Sequence, residues 1–217
     1  MAPLASMIGT AAEWLRTVRD HFGRERVRGA RIADPAALQE FIASRASYVA
    51  QTSLYGYLRT RAGQRSTELF SNDAFVVSIN IAKWNLWLAC VGDLAIYAGG
   101  LLARRAAGRA DVAPLMESIL ERLLAATGVP PEAGPEFAEL ADRVRARVAA
   151  CDWRTVEDGE GPFVESPAAL VRFAPIVDQL KALDEGIVRN SVRFRWQEVR
   201  RDLRRGLETD ALLAHAP

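Results

Sequence analysis

The residues best suited to chemistry stand in the most apolar stretch of the chain. Lys83 lies inside AFVVSINIAKWNLWLACVGDLAIYAGGLL, residues 74–102. On a helix turning about 100° per residue it shares an arc of roughly 100° with Asn80, Trp84 and Trp87. An ammonium between two indoles has two chemical uses. Desolvation would lower its pKa and suit it to act as a base or Schiff-base amine, or it could anchor an anionic group beside aromatic walls. The plainer alternative packs the tryptophans into a core and lets Lys83 reach an acid or extend to the surface. Asp93 is too far to be its partner, since ten helical residues cover about 15 Å. If Lys83 is buried, another helix must bring the counter-charge.

The preceding segment carries a related face. Phe41, Ser44, Arg45, Tyr48, Gln51, Thr52, Tyr55 and Arg59 fall on one side of a helix. Ile42, Ala46, Val49, Ser53 and Tyr57 fall opposite. If the Tyr48, Gln51 and Tyr55 side faces Lys83, the two helices frame a polar and aromatic cavity of the kind bundles use for ligands. Tyr48 and Tyr55 would then donate hydrogen bonds, Asn80 would clamp a polar group, and Trp84 and Trp87 would form the walls. Otherwise the tyrosines bury their rings and leave the hydroxyls in water.

The strongest charge feature is near the C-terminus. Residues 187–206, IVRNSVRFRWQEVRRDLRRG, hold seven arginines against Glu198 and Asp202, a local formal charge of +5. Arg189, Arg193, Arg200 and Arg204 fall within roughly 60° of one another on a helix, beside Val188, Val192, Trp196, Val199 and Leu203. Such a basic amphipathic helix could bind nucleic-acid phosphates, an anionic membrane surface or an acidic partner. It could equally be a solvated face paired with Glu157, Asp158 and Glu160.

Several chemistries lack their motifs. There is no GxxxxGK[ST] loop, no GxGxxG after a strand and no GxSxG elbow. The two histidines, His21 and His215, lie near opposite ends, so neither an HExxH metal site nor a pair of ExxH di-iron motifs exists. Cys90 and Cys151 form no CxxC. No metal or cofactor is expected, and no residue is singled out as catalytic. The 217 residues carry 28 basic and 27 acidic side chains, a net charge of +1, which excludes a globally basic nucleic-acid binder while leaving room for a local patch. Lysine occurs only at Lys83 and Lys181, so arginine supplies 26 of the basic groups. Half the residues are hydrophobic and a quarter charged, the composition of a globular domain.

Periodicity sets the elements that must position these groups. Segments at the 3.6-residue period alternate with proline and glycine breaks, and alternating β-branched runs are nearly absent. The fold class is therefore all-α, a single domain spanning 1–217, with about six to seven helices around a central hydrophobic helix at about 73–104. The first helix is expected over Ser6–Phe22. Asp34 and Pro35 open the second, as N-cap and first helical residue, and Gly63 ends it. Asn72 and Asp73 cap the third. It is long enough to span a bilayer, but Lys83 and Asp93 inside it would each cost about 2.5–3.5 kcal/mol near a bilayer centre. It reads as a buried helix, with no transmembrane span, and Gly99-Gly100 allows a kink or a close neighbour.

The fourth helix begins at Asp111 and stops at Thr127-Gly128, and the fifth runs from Pro135 to about Ala150. Residues 151–165 form a long acidic surface loop. Ser166-Pro167 restarts a helix through Leu183, Gly186 interrupts it, and a last helix follows to about Leu207. Residues 208–217 are expected to fray.

The favoured functional reading is a non-enzymatic bundle acting through protein contacts, as an adaptor, assembly factor, complex subunit or homodimer, in the cytoplasm. A second is a small-molecule or cofactor-binding bundle, with enzyme activity open, whose pocket is lined by Tyr48, Gln51, Tyr55, Asn80, Lys83, Trp84 and Trp87. A third is anionic-surface binding, to nucleic acid or lipid, by Arg189, Arg193, Arg200 and Arg204.

Overall fold

The computed structural model describes residues 31–108 and 110–215, so the helix expected over Ser6–Phe22 lies outside the described residues. Within them the fold is an all-α bundle of eight α-helices, without strands, packed around one long buried helix.

Helix α1, Pro35–Ala62, starts where the sequence signal puts it, with Asp34 Oδ1 accepting the Ala37 N–H at 2.8 Å and proline in the first turn. A 3-10 turn, Gly63–Arg65, leads into a short α2, Ser66–Phe70. Helix α3, Asp73–Ala106, is capped by Asn72, whose Oδ1 accepts from Phe75 N at 3.0 Å. Then come α4, Ala113–Thr127, and α5, Phe137–Ala149. Residues 150–164 make turns but no helix. The chain resumes in α6, Glu165–Phe173, α7, Asp178–Gly206, and α8, Thr209–Leu213.

Helix α3 is the centre, packing against α1, α2, α4, α5, α6 and α8. From Asn85 to Leu102 nearly every residue is buried, as an apolar stretch with no polar side requires. Its length and hydropathy would suffice to cross a membrane, but 89% of that window is buried inside the protein. Helix α1 turns Leu38, Ile42, Ala46, Val49, Ala50, Leu54 and Leu58 inward. Small residues at several of these positions let the two helix backbones approach. Helix α7 packs on α6 and α1, burying Val188, Val192, Trp196, Val199 and Leu203.

Gly99 and Gly100 serve close approach. A methyl group at Gly99 would overlap the Trp153 ring, and one at Gly100 would overlap Val156. The glycine pair is the notch in which the 150–164 segment sits.

Two boundaries differ from expectation. The break falls at Ala174-Pro175, and Gly186 lies within α7. Ala174 takes φ −55° and ψ 129°, the extended conformation favoured before proline, whose ring clashes with a helical predecessor. Gly186 is tolerated because a helix-interior glycine costs only about 1 kcal/mol. The tail expected to fray carries α8 instead, with Leu212 buried. Ile32 anchors this end in a parallel bridge to Leu207: its N–H donates to Gly206 O at 2.7 Å, and its carbonyl accepts from Glu208 N at 3.0 Å.

Candidate functional site

The most densely connected polar centre is built on Asp93. It lies in the middle of α3 with no exposed surface. Helix α6 begins at Glu165 without a side-chain cap of its own, because Val164 occupies the N-cap position. Asp93 supplies that cap from another helix. Its Oδ2 accepts from Ser166 N at 2.8 Å and from Ser166 Oγ at 2.7 Å, and its Oδ1 accepts from Glu165 N at 3.3 Å. Unsatisfied N–H groups at a helix start favour a negative charge there. Arg147 of α5 completes the set, with Nη1 2.6 Å from Oδ1 while Nη2 donates to Pro162 O at 2.8 Å. Trp196 of α7 donates Nε1–H to Ser166 Oγ at 3.0 Å.

Burial pushes the Asp93 carboxyl above the usual carboxylate range, opposed by Arg147 and the Ser166 donors. All the groups bonded to it are donors, so the site is shaped for the carboxylate form. One turn earlier, burial raises the Cys90 thiol well above its ordinary value, and the nearby Asp93 charge adds to this. A thiol held protonated in an apolar site is unreactive. The chemistry of this centre is to hold α3, α5, α6 and α7 together.

The 150–164 segment is fastened above it. Phe163 stacks on Trp196 with centroids 4.7 Å apart and tilts against Tyr97 at 5.3 Å. Asp158 accepts from Tyr97 Oη at 2.7 Å and pairs with Arg204 at 2.8 Å. Arg104 Nη1 donates to Val156 O. Burial, then the Asp158 hydrogen bond, push the Tyr97 phenol up to about 12. Burial would raise Asp158, but its bonds from Tyr97 and Arg204 outweigh this and hold it below its ordinary value.

The residues singled out by sequence separate into groups with different partners. Asn80, Lys83, Trp84 and Trp87 do come together: Lys83 Nζ donates to Asn80 Oδ1 at 3.3 Å and stands 5.2 Å from the centroid of the Trp84 ring. Trp84 meets Trp87 edge-on at 5.7 Å and Phe137 of α5 at 6.4 Å. Burial lowers the Lys83 pKa, and Glu132, from the segment before α5 rather than from a helix, raises it in part. Tyr55 instead stacks on Phe70 of α2 at 5.9 Å, and burial pushes its phenol up to about 12. Tyr48 is 39% exposed and Gln51 half-buried. Other residues of their face look toward α7, with Arg45 3.3 Å from Asp202 and Thr52 Oγ1 accepting from Arg195 at 3.1 Å.

The arginines of α7 are largely engaged within the protein. Arg189 pairs with Glu185 at 2.7 Å, Arg193 donates to Asn190 at 3.2 Å, Arg200 lies 6.0 Å from the Phe163 ring centroid, and Arg204 holds Asp158. Among the described residues, no group of three or more His, Cys, Asp or Glu is placed to hold a metal ion.

Sequence reasoning passed over Arg147 and Ser166, and it used Asp93 only as too distant to pair with Lys83 and as a charge that disfavours a bilayer span. Their signal was the one carboxylate inside the apolar 74–102 stretch, which demands a partner. It also passed over the outward side of α7. Leu183, Ile187 and Phe194 are 77%, 76% and 70% exposed and fall within about 40° of one another, nearly opposite the buried valines and Trp196.

Compared with known protein families, characterised proteins and solved structures, the chain matches none.

Proposed function

We propose that this protein is a helical scaffold acting through contact with another protein, and that the outward face of α7 makes that contact. The observation carrying the reading is the exposed row of Leu183, Ile187 and Phe194. Scattered single apolar residues on a surface need no explanation, but aligned large ones on one helix mark interaction surfaces. The row stands on a rigid base, since Trp196 and its neighbours on the opposite side of α7 are locked to Ser166 and Phe163. Cys90 and Cys151 are both free thiols, and we place the contact in the cytoplasm, where they would stay reduced.

The test is site-specific photocross-linking in cells that make the full chain, with benzoylphenylalanine replacing Phe194. Val129, 67% exposed outside any helix, is the control position. A defined protein adduct from position 194 and none from 129 is the expected result. Equal labelling at both positions, or none at 194, would sink the reading.

A further inference from the structure

We propose that Lys83 is an acylation site, its side-chain amine taking an acyl group from a thioester donor and laying it beside the Trp84 indole. This use of α3 is independent of the outward face of α7.

Lysine occurs only at Lys83 and Lys181, and the structure holds the two differently. Lys181 is pinned as a cation: its Nζ lies 3.5 Å from Asp178 and donates to Arg172 O at 3.2 Å, and its side chain is 15% exposed. An amine must be unprotonated to attack a carbonyl, and a carboxylate in contact favours the protonated form. Lys83 is half-buried and has no carboxylate in contact among the described residues. Its hydrogen bond goes to Asn80 Oδ1 at 3.3 Å, a neutral acceptor to which an ammonium and a neutral amine can both donate. Burial lowers the Lys83 pKa, with Glu132 opposing in part. A larger share of Lys83 than of an ordinary lysine is therefore the neutral nucleophile near pH 7.

The surroundings also suit the product. The nitrogen lone pair attacks the thioester carbonyl carbon, and the C–N bond forms as the C–S bond breaks. The thiolate leaves, and the proton lost by nitrogen passes to water. What remains is an uncharged amide that keeps one N–H for Asn80 and no longer bears the cost of a partly buried charge. Nζ stands 5.2 Å from the Trp84 ring centroid, so the carbons of an acyl group come within contact distance of the indole. Trp87 and Phe137 meet Trp84 edge-on at 5.7 and 6.4 Å, which fixes that wall in advance. At an open surface, acylation gives up a well-hydrated charge. At Lys83 it gives up a poorly hydrated one.

The test incubates the purified full chain with millimolar acetyl-coenzyme A near neutral pH at low salt, and follows acetylation at both lysines by peptide mass spectrometry. The initial rate at Lys83 should be at least about fivefold that at Lys181. Glu132→Gln, at an exposed residue, removes the acid that favours the ammonium. It should raise the Lys83 rate about twofold and leave Lys181 unchanged, which separates the charge state of Lys83 from its accessibility. Chain acetylated at Lys83 should melt no lower than unmodified chain.

A rate at Lys83 no greater than that at Lys181, or one that Glu132→Gln leaves unchanged, overturns the site. A lowered melting temperature after acetylation at Lys83 overturns the seat beside Trp84.

Discussion

Two charged residues, Lys83 and Asp93, interrupt the apolar 74–102 stretch of α3, and the structure treats them oppositely. Asp93 has no exposure and is met by Arg147, by Ser166 through both its N–H and its hydroxyl, and by Glu165. Lys83, about three turns earlier, is half-buried, with one long hydrogen bond to Asn80, an indole beside it and Glu132 in range. Both carry a burial cost. Asp93 lies where three other elements converge, so the fold satisfies its charge with donors from α5 and from the first turn of α6. Lys83 lies nearer the start of α3 and is only partly buried, and its long stem lets the ammonium reach Asn80 and the Trp84 ring. A buried charge becomes a structural centre when several elements must orient toward it, and remains a tolerated passenger when its own flexibility suffices.

The largest expected effect is at Asp93. Asp93→Ala leaves Arg147 and the first N–H groups of α6 without their acceptor and should cost about 3–5 kcal/mol in urea unfolding, the range for breaking one side of a buried pair. A loss under about 1 kcal/mol would erase the contrast with Lys83. Ser166→Ala comes next, at about 1–3 kcal/mol, since Trp196 Nε1–H loses its buried acceptor. A tryptophan fluorescence shift should accompany it, and an unchanged spectrum would detach Trp196 from the centre.

Asp158 sharpens the comparison with pH. Its folded pKa lies below the unfolded value, so its contribution is complete above about pH 4, near the unfolded carboxylate value, and is lost as pH falls through the folded one. Being exposed, the Arg204 pair should contribute at most about 1 kcal/mol. The melting temperature of wild type minus that of Asp158→Asn should therefore shrink on acidification below pH 4. A difference that stays flat would show that the 150–164 segment is held by Phe163 and Trp153 alone. Lys83→Met should have the smallest effect, within about 0.5 kcal/mol of wild type. A loss as large as that from Ser166→Ala would make Lys83 a second centre.

Much of the fold was legible in local chemistry. Asp34-Pro35, Asn72 and Thr127-Gly128 each mark a helix boundary through a hydrogen-bonding cap or a stop, which depend on a few adjacent residues. The Ala174-Pro175 break was also written locally, but Gly186 looked like the stronger interruption. The structure resolves that competition because proline imposes a conformational restriction on its neighbour, whereas glycine only withdraws a preference. The site was less legible. Periodicity grouped Asn80, Lys83, Trp84 and Trp87 correctly, because neighbours on one helical face remain neighbours in any fold. It could not bring Tyr48 and Tyr55 to them, because which side of α1 turns inward depends on what packs there.

The sequence by itself determined the helices, the burial of α3 and the near-neutral charge that hides a basic α7, since all three follow from propensity, periodicity and composition. Only the tertiary structure decided that Asp93 caps α6, that Gly99 and Gly100 receive Trp153 and Val156, and that Leu183, Ile187 and Phe194 are left facing outward. Asp93 and Ser166 are 73 residues apart. No local rule links them, and they meet because packing the apolar faces fixed where each helix begins and which way it turns.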